Sequence, residues 1–113
     1  MNNLNSVLIE GELVADPVLL DSKVVRFNIA STRFHKINDI LEKETGYFPV
    51  IAGGRLGTTC FETLKKGRVV RVVGRLMQVT SFDEQGNGSM AIVIDSEHVE
   101  FRPVIQQVEE KAS

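Results

Sequence analysis

Residues 23–33 constrain the fold more than any other segment. Val25, Phe27 and Ile29 fall on one side of a period of two, and Arg26, Asn28 and Ala30 on the other. Side chains alternate between faces along a strand, so this segment has one face in a core and one in water, as in an antiparallel sheet. Ser6–Val14 reads as a second such strand, with Gly11 at a bend or bulge, and Asp16-Pro17 marks the turn that follows. Tyr47–Gly53 is a third, with Pro49 at an edge or irregular position because it has no N–H to donate to a ladder. Arg68–Thr80, rich in β-branched residues and interrupted by Gly74, pairs in sequence with Met90–Phe101 across a hairpin loop at Asp83–Gly88.

One stretch breaks the period in favour of a helix. Leu56, Cys60, Phe61 and Leu64 recur at helical spacing, which predicts a helix over Leu56–Lys66 with Lys65 and Lys66 in its last turn and Gly67 as its C-cap. The helix dipole accounts for those lysines as well as a ligand would. His35–Gly46 carries five charged residues in twelve without a clean strand period, and is expected to be a long exposed loop, a kind that is often functional. The element order is then β-β-β-α-β-β. This is the connectivity of an all-β, five-stranded OB-fold barrel with one short helix between strands 3 and 4. Phe27, Phe61 and Phe101 fit apolar periods and are expected in its core.

A chain of 113 residues suits one domain, expected over residues 1–105, followed by a short polar tail at 106–113. Cys60 is the sole cysteine and reads as a small core residue. Met1 is followed by polar residues, and no segment approaches the roughly 20 apolar residues of a membrane span, so a cytoplasmic protein is expected. There are no paired carboxylates, no metal-ligand cluster and no nucleophile–base pair, and His35 and His98 lack partner spacing. Ala52-Gly53-Gly54 is too short for a nucleotide loop. The expectation is a protein with no catalytic residues, metal or cofactor. The formal net charge of −2 sits badly with a nucleic-acid binder. Between Arg55 and Arg75, however, six basic residues face a single acid, Glu62, so a local basic surface is available.

Several segments together carry a resemblance. Asn5-Ser6-Val7-Leu8-Ile9-Glu10-Gly11-Glu12-Leu13 with Asp16-Pro17, Phe27-Asn28-Ile29-Ala30-Ser31 with Arg33-Phe34, Val50-Ile51-Ala52 with Gly54-Arg55-Leu56, and Leu64-Lys65-Lys66-Gly67 with Val73-Gly74-Arg75-Leu76 follow in order. Over about residues 5–101 the chain resembles the bacterial single-stranded DNA-binding proteins. The resemblance implies sequence-independent binding of single-stranded DNA, in replication, repair or recombination, by bases stacked on aromatic rings and phosphates tracked by cations. It places Phe34 at the end of the second strand, Tyr47 at the start of the third and Phe82 near the tip of the fourth as stacking rings. Arg55 and Lys66 stand at family basic positions, with Arg33, Lys36, Arg71 and Arg75 as phosphate neighbours. It also implies a homo-oligomer, tetramer or dimer, paired through first strands and exposed sheet faces.

Three departures bear on this. Gly53 stands where the family usually has a further aromatic. Phe82 lies eight residues after Gly74 rather than seven, which turns it to the opposite face unless a bulge absorbs the extra residue. The chain closes on Lys111-Ala112-Ser113 rather than on the family's acidic tip, so a shortened paralogue without tail-mediated recruitment of enzymes is expected. The alternative is an OB-fold protein-interaction module, such as a primosome-type adaptor, with weak or no DNA binding.

Overall fold

The computed structural model describes residues 1–21 and 23–103. The tail expected at 106–113 lies outside them. Its elements are β1 (Val7–Leu13), β2 (Val18–Asp21), β3 (Val24–Ile37), β4 (Ile40–Gly53), α1 (Gly54–Thr63), β5 (Val69–Phe82) and β6 (Gly88–Phe101). The sheet runs β1-β5-β6-β4-β3-β2, and β1 also pairs with β3. That last pairing closes five strands into the expected barrel, with the helix between its third and fourth strands. The sixth strand, β2, is a short addition laid against Val24, Val25 and Arg26.

Closure depends on β1 serving two partners. Val7–Glu12 pairs with β5, while Glu12 and Leu13 pair with Ala30 and Ile29 of β3. Gly11 sits where the strands converge: a Cβ there would lie 2.8 Å from the Ala30 carbonyl oxygen. The glycine marks close backbone approach, and no bulge interrupts β1. Leu13, Phe27, Ile29, Val50, Val70, Val72 and Ile94 fill the barrel, with Cys60 and Leu64 closing one end. Among the described residues the one buried polar side chain is Ser96, whose hydroxyl donates to the Ile51 carbonyl at 2.7 Å. That bond ties β6 to β4 where the two run parallel for only two residue pairs, Val50–Ile94 and Ile51–Asp95. Pro49 lies just outside this short pairing, so β6 asks no N–H of it.

Three expectations are corrected. Residues 35–46 are not a loop: β3 and β4 pair continuously from Val24–Gly53 to Ile37–Ile40. The turn is only Asn38-Asp39, both at positive φ (52° and 65°), the backbone of a two-residue hairpin loop. This arm projects beyond the barrel with water on both faces, so it lacks the buried-versus-exposed alternation by which strands are read. Second, α1 spans Gly54–Thr63 with Leu64 as its C-cap, so the lysines are not in its last turn. Lys65–Gly67 form a turn tied to the end of β1, with the Lys66 N–H donating to Asp16 Oδ1 at 2.8 Å and the Gly67 N–H to the Leu13 carbonyl at 2.9 Å. Third, Phe61 is 42% exposed. Gly57 and Cys60 set the buried side of α1, and residue 61 is about 100° round from Cys60. Phe27 is buried, and Phe101 packs at the core margin with the Arg68 guanidinium 5.8 Å above its ring.

Candidate nucleic-acid interface

Register assigns every side chain of the two hairpins to a face. Val25, Phe27 and Ile29 of β3 point into the barrel, so Arg26, Asn28, Ala30, Thr32, Phe34 and Lys36 point outward. On β4, Val50 and Ala52 point inward, and Leu41, Lys43, Thr45, Tyr47, Pro49 and Ile51 share the outward face. Cross-strand partners agree: Phe34 lies opposite Lys43, Lys36 opposite Leu41, and Ala30 opposite Tyr47. The Thr32 and Thr45 hydroxyls, 3.1 Å apart, join the strands between the two rings.

Phe34 and Tyr47 therefore share one open face, at 60% and 68% exposure. Tyr47 is the outward member of the Tyr47–Phe48 pair, while Phe48 follows the barrel-facing parity and covers Gly46. Four residues of β3 separate the two rings, roughly 14 Å at the rise of a strand. The charges of the arm are sorted by the same register. Lys36, Lys43 and, further down, Arg26 are outward, whereas Glu42 and Glu44 lie on the opposite face, across from His35 and Arg33. The outward face of β3 and β4 thus carries cations and rings and no acid.

The other expected residues do not all join this face. Gly74 points into the barrel, and the pairing from Gly74–Ser96 to Phe82–Gly88 is regular, so Phe82 keeps the barrel-facing parity of Leu76. The one irregularity falls on the other side of Gly74, where Glu97 of β6 is skipped between Ser96 and His98. Phe82 is 72% exposed, but on the face away from Arg75. Arg33 lies on the inner face of its arm. Arg55 is exposed at the start of α1, beyond the far end of β4 from Lys43, the partner of Phe34. Lys66 is exposed in the turn after α1.

Arg71 and Arg75 are outward, and both meet carboxylates. Arg71 lies 3.5 Å from Glu10 and 3.6 Å from Glu100, and Arg102 contacts the same two acids at 3.6 and 4.0 Å. Arg75 lies 3.1 Å from Asp95. The basic run from Arg55 to Arg75 is accordingly dispersed over a helix start, a turn and an ion-paired strand. Two further cations share the outward face, Lys43 opposite Phe34 and Arg26 further down β3 opposite Ile51. Arg26 was visible as the outward member of a clean alternation, whereas Lys43 needed the hairpin register.

Residues 4–102 match the single-strand binding protein family. The chain belongs to that family. Among its relatives, single-stranded DNA-binding protein 2 of Chlorobaculum tepidum is 31% identical over 107 residues, covering 89% of this chain and 72% of that protein. The single-stranded DNA-binding protein of Caldanaerobacter subterraneus is 30% identical over 102 residues, covering 87% and 67%. The small single-stranded DNA-binding protein from Streptomyces coelicolor superposes with a TM-score of 0.68 at 27% identity, over 90% of this chain and 96% of its own. The Plasmodium falciparum protein solved with single-stranded DNA matches in fold, with a TM-score of 0.77 at 19% identity over 91% and 98%. This member of the single-strand binding family departs from a uniformly basic surface, since its outward cations on β5 are paired and those on β3 and β4 are not given acidic partners in the sheet register.

Proposed function

We propose that the protein binds single-stranded DNA without sequence preference along the outward face of β3 and β4. Bases stack on Phe34 and Tyr47, and phosphates run past Lys36, Lys43 and Arg26 toward Arg55. The observation that supports this reading most is the separation of charge in the β3–β4 arm, with cations and open rings on one face and Glu42 and Glu44 on the other. Every base offers a π-face, so such a surface is sequence-tolerant, and stacking contributes about 1–3 kcal/mol per base. Phe82, Arg33 and Lys66 stand off this path. The protein acts as a binding module in replication, repair or recombination rather than as an enzyme, and works in the cytoplasm.

The reading includes self-association as a dimer or tetramer. Along Val7–Gly11, β1 pairs with β5 on one side, and its pairing with β3 begins only at Glu12. The remaining edge offers free backbone donors and acceptors to a second copy. An interaction module with little DNA affinity is the second reading, favoured by the carboxylate partners of Arg71 and Arg75. Fluorescence anisotropy of labelled oligo-dT separates the two. Binding that weakens steeply with salt is expected. A folded protein giving no response at low salt would overturn the DNA-binding reading.

A further inference from the structure

The outward row that crosses the middle of the barrel reads Arg26, Ile51, Asp95, Arg75, on β3, β4, β6 and β5 in turn. Among the described strand residues, Asp95 is the only acid on the outward face of β3, β4 and the paired segments Arg75–Phe82 and Gly88–Asp95; Asp83 and Glu84 lie in the loop beyond them. Its carboxylate is 3.1 Å from the Arg75 guanidinium, and the two side chains are 31% and 47% exposed. The pair is thus wet enough to exchange partners, and its contribution to stability is small. Glu42 and Glu44, by contrast, have been turned away from this face by register.

We infer that Asp95 limits DNA affinity by occupying Arg75 and by placing a negative charge on the strand's path. The inference rests on the outward face being the DNA-binding face. A phosphate approaching Arg75 must compete with a carboxylate already in contact, and is repelled by it. Asp95 is therefore a positioning residue acting through Arg75, and it leaves Arg26 as the one uncompensated charge of this central row while the arm beside it stays cationic. The chemistry concerned is that of any phosphodiester backbone, so the effect is independent of base sequence.

The test is Asp95→Asn, measured by anisotropy of labelled oligo-dT across a salt series, with Glu62→Gln on α1 as a control for net charge. Asp95→Asn is expected to tighten binding about three- to tenfold at low salt. One freed arginine steepens the slope of log K against log salt by about 0.7 for a single strand. Adding Arg75→Gln to Asp95→Asn returns the slope to the wild-type value. Glu62→Gln leaves affinity within twofold. If wild-type protein binds and Asp95→Asn binds no more tightly, the inference is overturned. It is equally overturned if Glu62→Gln tightens binding as much, since net charge alone would then be the cause. No binding by wild type at low salt overturns the function reading itself. Should Asp95→Asn fail to fold, Asp95→Thr, better suited to a strand, carries the same comparison.

Discussion

Replacing Phe34 by alanine separates stacking from charge on this surface. The ring is 60% exposed, so roughly 70 Å² of it is covered, and its loss costs at most about 1–2 kcal/mol of folding free energy. On DNA binding the expected loss is larger in effect, about 1–3 kcal/mol for one stacked base, or roughly 5- to 150-fold in Kd. The ring carries no charge, so the salt slope should stay unchanged while the whole line drops. The assay is oligo-dT anisotropy over a salt series, with a urea unfolding curve to verify that the variant is folded. Phe82→Ala, which removes a ring of similar exposure on the opposite face, is the comparator and should change Kd less than twofold. Equal losses for the two variants, or a shallower salt slope for Phe34→Ala, would refute the assignment of the stacking face.

Lys43→Gln should weaken binding and make the salt slope shallower by about 0.7, because Lys43 stands across from Phe34 on the same face. Gly74→Ala should destabilise the fold by about 1–3 kcal/mol or more in urea unfolding, since its Cβ would meet the Asp95 carbonyl oxygen and lie 2.9 Å from the Ser96 Cα. Burial raises the Cys60 thiol from 9.0 to about 11. The folded state therefore holds this proton more tightly than the unfolded state does, and stability present below pH 9 is lost progressively between pH 9 and 11. Cys60→Ser should remove that part of the pH dependence, and a thiol reagent at pH 8 should react with Cys60 only on unfolding.

Much of the barrel was legible because alternation reports burial. Val25, Phe27, Ile29, Val50, Ala52, Val70 and Val72 are buried at the positions their period implies. The same physics explains the failure at 35–46, where a two-sided wet hairpin has nothing to alternate against and the Asn38-Asp39 turn passes as polar loop. Phe61 failed for another reason: helical spacing names a set of apolar residues, but which side of α1 is buried depends on how close Gly57 lets it approach the Ala52 backbone.

By itself the sequence determined the order of the five barrel strands along the chain, the place of the helix between the third and fourth of them, and the alternating core positions of those strands. These follow from local periodicity, which each residue carries independently of distant partners. Tertiary structure alone decided which cations are available. Arg75 meets Asp95 and Arg71 meets Glu10 and Glu100 because strand register brings together residues twenty to sixty positions apart. The same register sets Lys43 beside Phe34 and sends Glu42 and Glu44 to the other face. A one-residue slip would exchange the two faces, so the location of the binding surface is a property of pairing and not of composition.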